Sequence, residues 1–178
     1  MKTLKKCFIC IITGAVFLLA SETASAGGWE YGMTQQQRNQ AILASARADL
    51  GLKFSGMQCK DWVRRVVLSA SGANGLRRDL PSTALAPLVW VWNYSPFIVN
   101  RYVTPQQFLP GNIVQMLIRY KDGSYGPHTA IVESVTNAGI VWIEENYGTP
   151  NIVERRSVSF YVFSMQVPSS NYSVYEVH

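Results

Sequence analysis

The stretch His128–Tyr147, HTAIVESVTNAGIVWIEENY, decides the architecture. Two runs rich in β-branched and apolar residues, HTAIVESV and GIVWIEENY, flank the turn residues TNAG, the pattern of an antiparallel hairpin. Alternation along the second strand puts Glu144 and Asn146 on one face and Glu145 on the other with Ile143. With Thr136, Asn137 and Ala138 as a three-residue turn, Val135 pairs with Gly139. His128 then falls opposite Asn146, with Glu144 diagonal to it on the same face. A two-residue turn would slip the register by one and send both to the wrong face. The hairpin turn thus decides whether a histidine meets a carboxylate.

Outward from the hairpin, NIVQMLIRY (112–120) precedes it as a strand, after which KDGSYGP (121–127) reads as a turn. NIVERRSVSF (151–160) reads as a short strand and a connecting turn, and YSVYEV (172–177) as the closing strand. Helices lie at the other end. TQQQRNQAILASARADLG (34–51) has Thr34 as cap, Gln37 to complete a capping box and Gly51 as stop. After the loop LKFSGM, QCKDWVRRVVLSASG (58–72) spaces Trp62, Val63, Val66 and Val67 along one helical face. Residues 73–110, rich in Pro, Trp and Tyr, read as a loop-and-short-helix cover. Trp90, Trp92, Tyr94 and Tyr102 are its candidate groove-lining side chains. The fold class is α+β, with N-terminal helices packed on an antiparallel sheet.

The first 26 residues differ from the rest. Lys2, Lys5 and Lys6 precede the apolar run CFICIITGAVFLLA, and SETASA offers small residues for cleavage, the order of a secretory signal peptide. The expected product is residues 27–178, one domain, secreted or periplasmic, with no stable membrane insertion after cleavage. Removing the leader takes away three lysines and Glu22, so the net charge falls from +5 to +3. No basic run points to nucleic acid, and no ligand spacing points to a metal or cofactor.

Cysteine and histidine are both sparse. Cys7 and Cys10 lie in the leader, which leaves Cys59 without a disulfide partner in its own chain. His178 is terminal, so His128 is the one internal histidine. Cys59 is open to reading as a small buried hydrophobe or as half of an intermolecular disulfide. Its place in the first turn of a helix favours a thiolate, and an imidazole is the partner that activates one. Glu144 or Asn146 is then the group to fix the histidine tautomer. Asp61, two positions on, points round the helix away from the sulfur.

Four segments in order, GMQCKDWV, LPGNIVQM, HTAIVESV and IEENYG, resemble the cysteine, proline-glycine, histidine and Glu-x-Asn motifs of the CHAP family, the cysteine, histidine-dependent amidohydrolases/peptidases. Asn112 stands where that family has Asp. The resemblance implies a papain-like cysteine hydrolase fold of the NlpC-like superfamily, acting on amide bonds of bacterial peptidoglycan through an acyl-enzyme. It implies Cys59 as nucleophile, His128 as base, Glu144 as the group orienting the histidine and Asn146 as a further polar member. The Cys59 N–H, helped by Gln58, would steady the oxyanion. Acyl or peptidyl transfer and a non-catalytic wall- or peptide-binding module are the competing functions. An inhibitor or immunity protein is a further candidate partner.

Overall fold

Thr34 opens the first helix as its capping box requires: its hydroxyl accepts from the Gln37 N–H, and the Gln37 side chain accepts from the Thr34 N–H at 2.8 Å. The computed structural model describes residues 33–71, 98–101, 103–120, 122–168 and 171–178. Helix α1 (Gln35–Ala48) packs on α2 (Cys59–Ser71), with Ile42, Leu43 and Ala46 in one cluster with Trp62, Val63, Val66 and Val67. Asp49 caps α1 and joins the two helices: it accepts from Trp62 Nε1 at 3.1 Å and pairs with Arg65. No helix among the described residues is long and apolar enough to cross a membrane.

The described strands form one six-stranded antiparallel sheet, ordered β1-β6-β2-β3-β4-β5. These are β1 (Ile98–Arg101), β2 (Ile113–Arg119), β3 (Tyr125–Thr136), β4 (Gly139–Glu145), β5 (Val153–Ser159) and β6 (Tyr172–Val177). The chain is therefore α+β. One face of the sheet buries Ile113, Ile131, Ile143 and Tyr175 under α1 and α2. The other buries Val114, Met116, Ala130, Val132, Trp142 and Val174 with Phe108 and Phe163.

Four details differ from the sequence reading. The expected turn after β5 is a helix, α3 (Phe160–Gln166): the Ser159 side chain caps it by accepting from the Val162 N–H, and Phe163 anchors it against Phe108, Trp142 and Tyr172. A capping serine followed by Phe160, Phe163 and Val167 at helical spacing is the signal for that turn of helix. Within the 73–110 segment, Ile98–Arg101 is an edge strand paired with β6, and a 3₁₀ turn (Pro105–Gln107) is the short helical piece. Strand β3 begins at Tyr125, three residues before His128.

The fourth difference lies in the hairpin itself. Thr136 pairs with Gly139, so the turn has two residues, Asn137 and Ala138, where three were expected. Taken alone, that register would put Glu144 opposite Ile131 and off the His128 face. A β-bulge between Val132 and Ser134 inserts Glu133 and corrects the slip: beyond it Val132 pairs with Trp142 and Ala130 with Glu144. Val132 and Glu133 are both buried. Glu133 is held from two sides. Arg47 of α1 donates to its Oε1 at 2.8 Å, and Arg155 of β5 does the same from Nη2 while its Nε meets Oε2. The Arg155 hydrogen bond, against the opposing effect of burial, and then Arg47 hold this carboxyl below its ordinary range.

A lowered carboxyl pKa contributes stability above the unfolded value, near 4.5, that is lost as pH falls through the folded value. Glu133→Gln should lower stability by about 1 kcal/mol at pH 7, because both arginines are half exposed, with the gap narrower at pH 3. Urea unfolding at the two pH values measures this. Deleting Glu133 should cost far more, since the register correction goes with it.

Candidate active site

Cys59 is the first residue of α2, 8% exposed and free of any disulfide. Gln58 precedes it at the helix cap, its carbonyl accepting from the Trp62 N–H at 2.9 Å. The first amides of a helix have no intrahelical acceptor, and their partial positive charge favours an anion there.

His128 of β3 and Glu144 of β4 come together because Ala130 pairs with Glu144, placing the histidine one diagonal step away on the same face. His128 Nε2 lies 2.8 Å from Glu144 Oε2, with both side chains almost fully buried. His128 also shares a side-chain hydrogen bond with Cys59. With Nε2 on the carboxylate, Nδ1 is the nitrogen left for sulfur. Burial alone would push the imidazole down, but the hydrogen bonds and charges of Cys59 and Glu144 outweigh it and raise the pKa from 6.5 to about 9.

A buried carboxylate needs a permanent counter-charge, and Arg156 of β5 supplies it. Its Nη2 donates to Glu144 Oε2 at 3.2 Å. The guanidinium carbon lies 3.7 Å from the Tyr147 ring centroid and 4.9 Å from that of Trp142. Trp142 pairs with Arg156 across β4 and β5, so Arg156 is again one diagonal step from Glu144. Tyr147 in turn lies 5.3 Å from the His128 ring and stacks on Tyr120 at 6.0 Å.

The sequence reading missed Arg156, Tyr147 and Tyr120. Strand alternation had a signal for Arg156: a basic residue facing a buried acid from the next strand. The two tyrosines carry no comparable pattern. Among the residues singled out earlier, Cys59, His128 and Glu144 are adjacent, and Gln58 is next to the sulfur in the chain with its side chain exposed. Asn146 is otherwise engaged: its backbone is left-handed (φ 65°) and its Oδ1 accepts from the Asn151 N–H at 3.2 Å, closing the loop into β5. Glu144 is the group hydrogen-bonded to the histidine. Trp90, Trp92, Tyr94 and Tyr102 lie outside the described residues. A cleft of about 510 Å³ has Glu144, Gly148, Glu154 and Arg156 in its wall but neither Cys59 nor His128, so it opens beside the carboxylate and not over the thiol. Among the described residues no group of three or more His, Cys, Asp or Glu could hold a metal ion.

Glu145 contrasts with its neighbour. It points to the helix face with Ile143, is fully buried, and neither carboxylate oxygen has a hydrogen-bond partner. Burial drives its pKa up to about 7, against the attraction of His128 and with the repulsion of Asp61.

No protein-family model matches the chain, and no curated protein does. Two solved structures are similar in fold. The crystal structure of Ly7917 superposes with a TM-score of 0.51 at 20% identity, over 76% of this chain and 61% of that one. The crystal structure of Ly7917 with the hydrolyzing product of MDP gives 0.52 at 20%, over 78% and 62%. The chain thus shares this fold and spans about three-fifths of the length of those structures.

Glu145 yields a stability test. Its carboxyl keeps a proton between about pH 4.5 and 7 that the unfolded chain gives up, so wild-type stability should fall across that window. Glu145→Gln, the same size and always neutral, should be more stable than wild type at pH 8 and equal to it at pH 4. Denaturant midpoints at both pH values decide it; a variant less stable at pH 8 would mean the carboxylate has a counter-charge.

Proposed function

We propose that the chain is an exported cysteine amidohydrolase or endopeptidase with a papain-like, CHAP-type site, acting on amide bonds of peptidoglycan. The observation that carries the reading is the hydrogen-bonded line Cys59–His128–Glu144, anchored by Arg156, with the cysteine at a helix N-terminus. The likeness to Ly7917, crystallised with a product of MDP, a peptidoglycan fragment, supports the substrate class. The signal-peptide pattern of residues 1–26 supports export.

In this mechanism His128 is already the imidazolium at neutral pH and pairs with the Cys59 thiolate, which attacks the carbonyl carbon of the amide. The carbonyl π electrons move to oxygen, which the Cys59 N–H at the helix start, with Gln58, steadies as an oxyanion. Glu144 accepts from Nε2 and balances the imidazolium, and Arg156 balances Glu144. The imidazolium then protonates the leaving amine, the C–N bond breaks, and a thioester remains. Water, deprotonated by His128, attacks the thioester; the thiolate leaves and the acid is released. Tyr147, held against the histidine, keeps the imidazole from turning.

Purified residues 27–178 should release new amines or carboxylates from peptidoglycan, and Cys59→Ala should release none; wild-type inactivity on all peptidoglycan types would overturn the reading. Adding a free amine separates hydrolysis from transfer by product mass. Alkylation of Cys59 at pH 6.5 should fall about tenfold in His128→Ala, because the imidazolium no longer stabilises the thiolate. Arg156→Met should keep the fold and lower turnover about 10- to 100-fold as the carboxylate loses its fixed geometry.

A further inference from the structure

Tyr120 belongs to no role in that mechanism, yet three observations bring it to the site. Its ring is the outer member of a pair stacked on Tyr147, centroids 6.0 Å apart and planes 27° apart, and Tyr147 is in contact with His128 and Arg156. It lies across β3 over Gly126, two residues before the histidine. A Cβ at Gly126 would come within 2.7 Å of Tyr120 Cε2 and 3.0 Å of its hydroxyl, so the absent side chain is what lets the ring lie there. The backbone holds it too: its N–H donates to Ser124 O at 2.8 Å in the β2–β3 hairpin, and its carbonyl accepts from Gly123 at 3.0 Å.

Tyr147 has Arg156 over its ring and Tyr120 stacked on it, so it is a fixed wall. Tyr120, by contrast, is 37% exposed. Its phenol is held above the ordinary value by burial and then by electrostatic interaction with Cys59, Tyr147, Asp122 and Glu144. A phenol so placed stays protonated and offers an O–H donor at the exposed end of the stacked pair.

We propose that Tyr120 forms a substrate subsite beside Cys59, its ring packing on the acyl-side peptide and its hydroxyl donating to a carbonyl oxygen of that peptide. The ligand class is an extended peptide with at least one amide on the acyl side of the bond attacked. The proposal rests on the thiol-hydrolase reading above. It makes Tyr120 a specificity residue that touches substrate and leaves thiol chemistry to His128.

The test compares two electrophiles on Cys59. Acetyl-alanyl-alanyl chloromethyl ketone carries peptide carbonyls; iodoacetamide carries no peptide. Wild type should favour the first, and Tyr120→Phe should cut that preference about three- to tenfold, the worth of one hydrogen bond. Gly126→Ala, which displaces the ring by its far end, should cut it further, and circular dichroism checks that both variants fold. An unchanged preference in both folded variants overturns the proposal. So does an equal slowing of both reagents in Tyr120→Phe, which would place the hydroxyl on the thiol and not on the peptide. Wild type that shows the preference but releases nothing from peptidoglycan would sink peptidoglycan as the substrate and leave the reactive thiol and its subsite standing.

Discussion

Everything at the site depends on one inserted residue. Side chains on a strand have two choices of face, so a register error of one is not a small displacement but a change of side. The tight Asn137-Ala138 turn sets a register in which Glu144 and His128 face apart. The bulge at Glu133 restores their common face. It is held at both ends of the sheet's width, by Arg47 from the helix layer and Arg155 from the edge strand. An ion cluster far from the thiol in sequence thus fixes which carboxylate the histidine meets.

The two neighbouring acids, Glu144 and Glu145, show what that choice of face means. Both are buried. Glu144 has a histidine and an arginine against its oxygens, so its desolvation is offset by charge-assisted hydrogen bonds. Glu145 has neither, and burial pushes it toward the neutral form. The same residue type, one position apart, is an acceptor held by a histidine and an arginine on one side of the sheet and an unpartnered acid that titrates near pH 7 on the other. The raised His128 pKa follows from the first environment: an imidazole between a thiol and a compensated carboxylate keeps its proton well above its ordinary value.

Much of this was legible in the sequence, and the exceptions have physical causes. The capping box at Thr34, the apolar spacing of Trp62 to Val67 and the alternation in GIVWIE are local signals, and α1, α2 and β4 obey them. The grouping of Cys59, His128 and Glu144 was legible because one cysteine outside the first 26 residues and one internal histidine leave little choice. The turn length was not, since TNAG suits two or three residues equally. The bulge was not, because a buried glutamate in an apolar strand declares itself only through arginines 86 residues upstream and 22 downstream. The expected register at the site was nonetheless right, because the bulge compensates for the shorter turn. Arg156 required knowing that β5 pairs with β4. Helix α3 was hidden by a strand-like composition, and its Ser159 cap was the overlooked cue.

Asn146 completes the chain of constraint. A left-handed backbone costs most residues about 1–2 kcal/mol, and asparagine is among the few that adopt it readily. At Asn146 this conformation ends β4 immediately after the two glutamates, and the side chain closes the loop on the Asn151 N–H. Tyr147, the next residue, then packs on His128 and under Arg156 instead of continuing along the strand. The ring covers the histidine, separates it from solvent on that side and strengthens its contacts with Glu144 by lowering the local dielectric. The asparagine's part in the site is therefore conformational: it turns the chain, and the turn delivers the aromatic wall against which the imidazole is held.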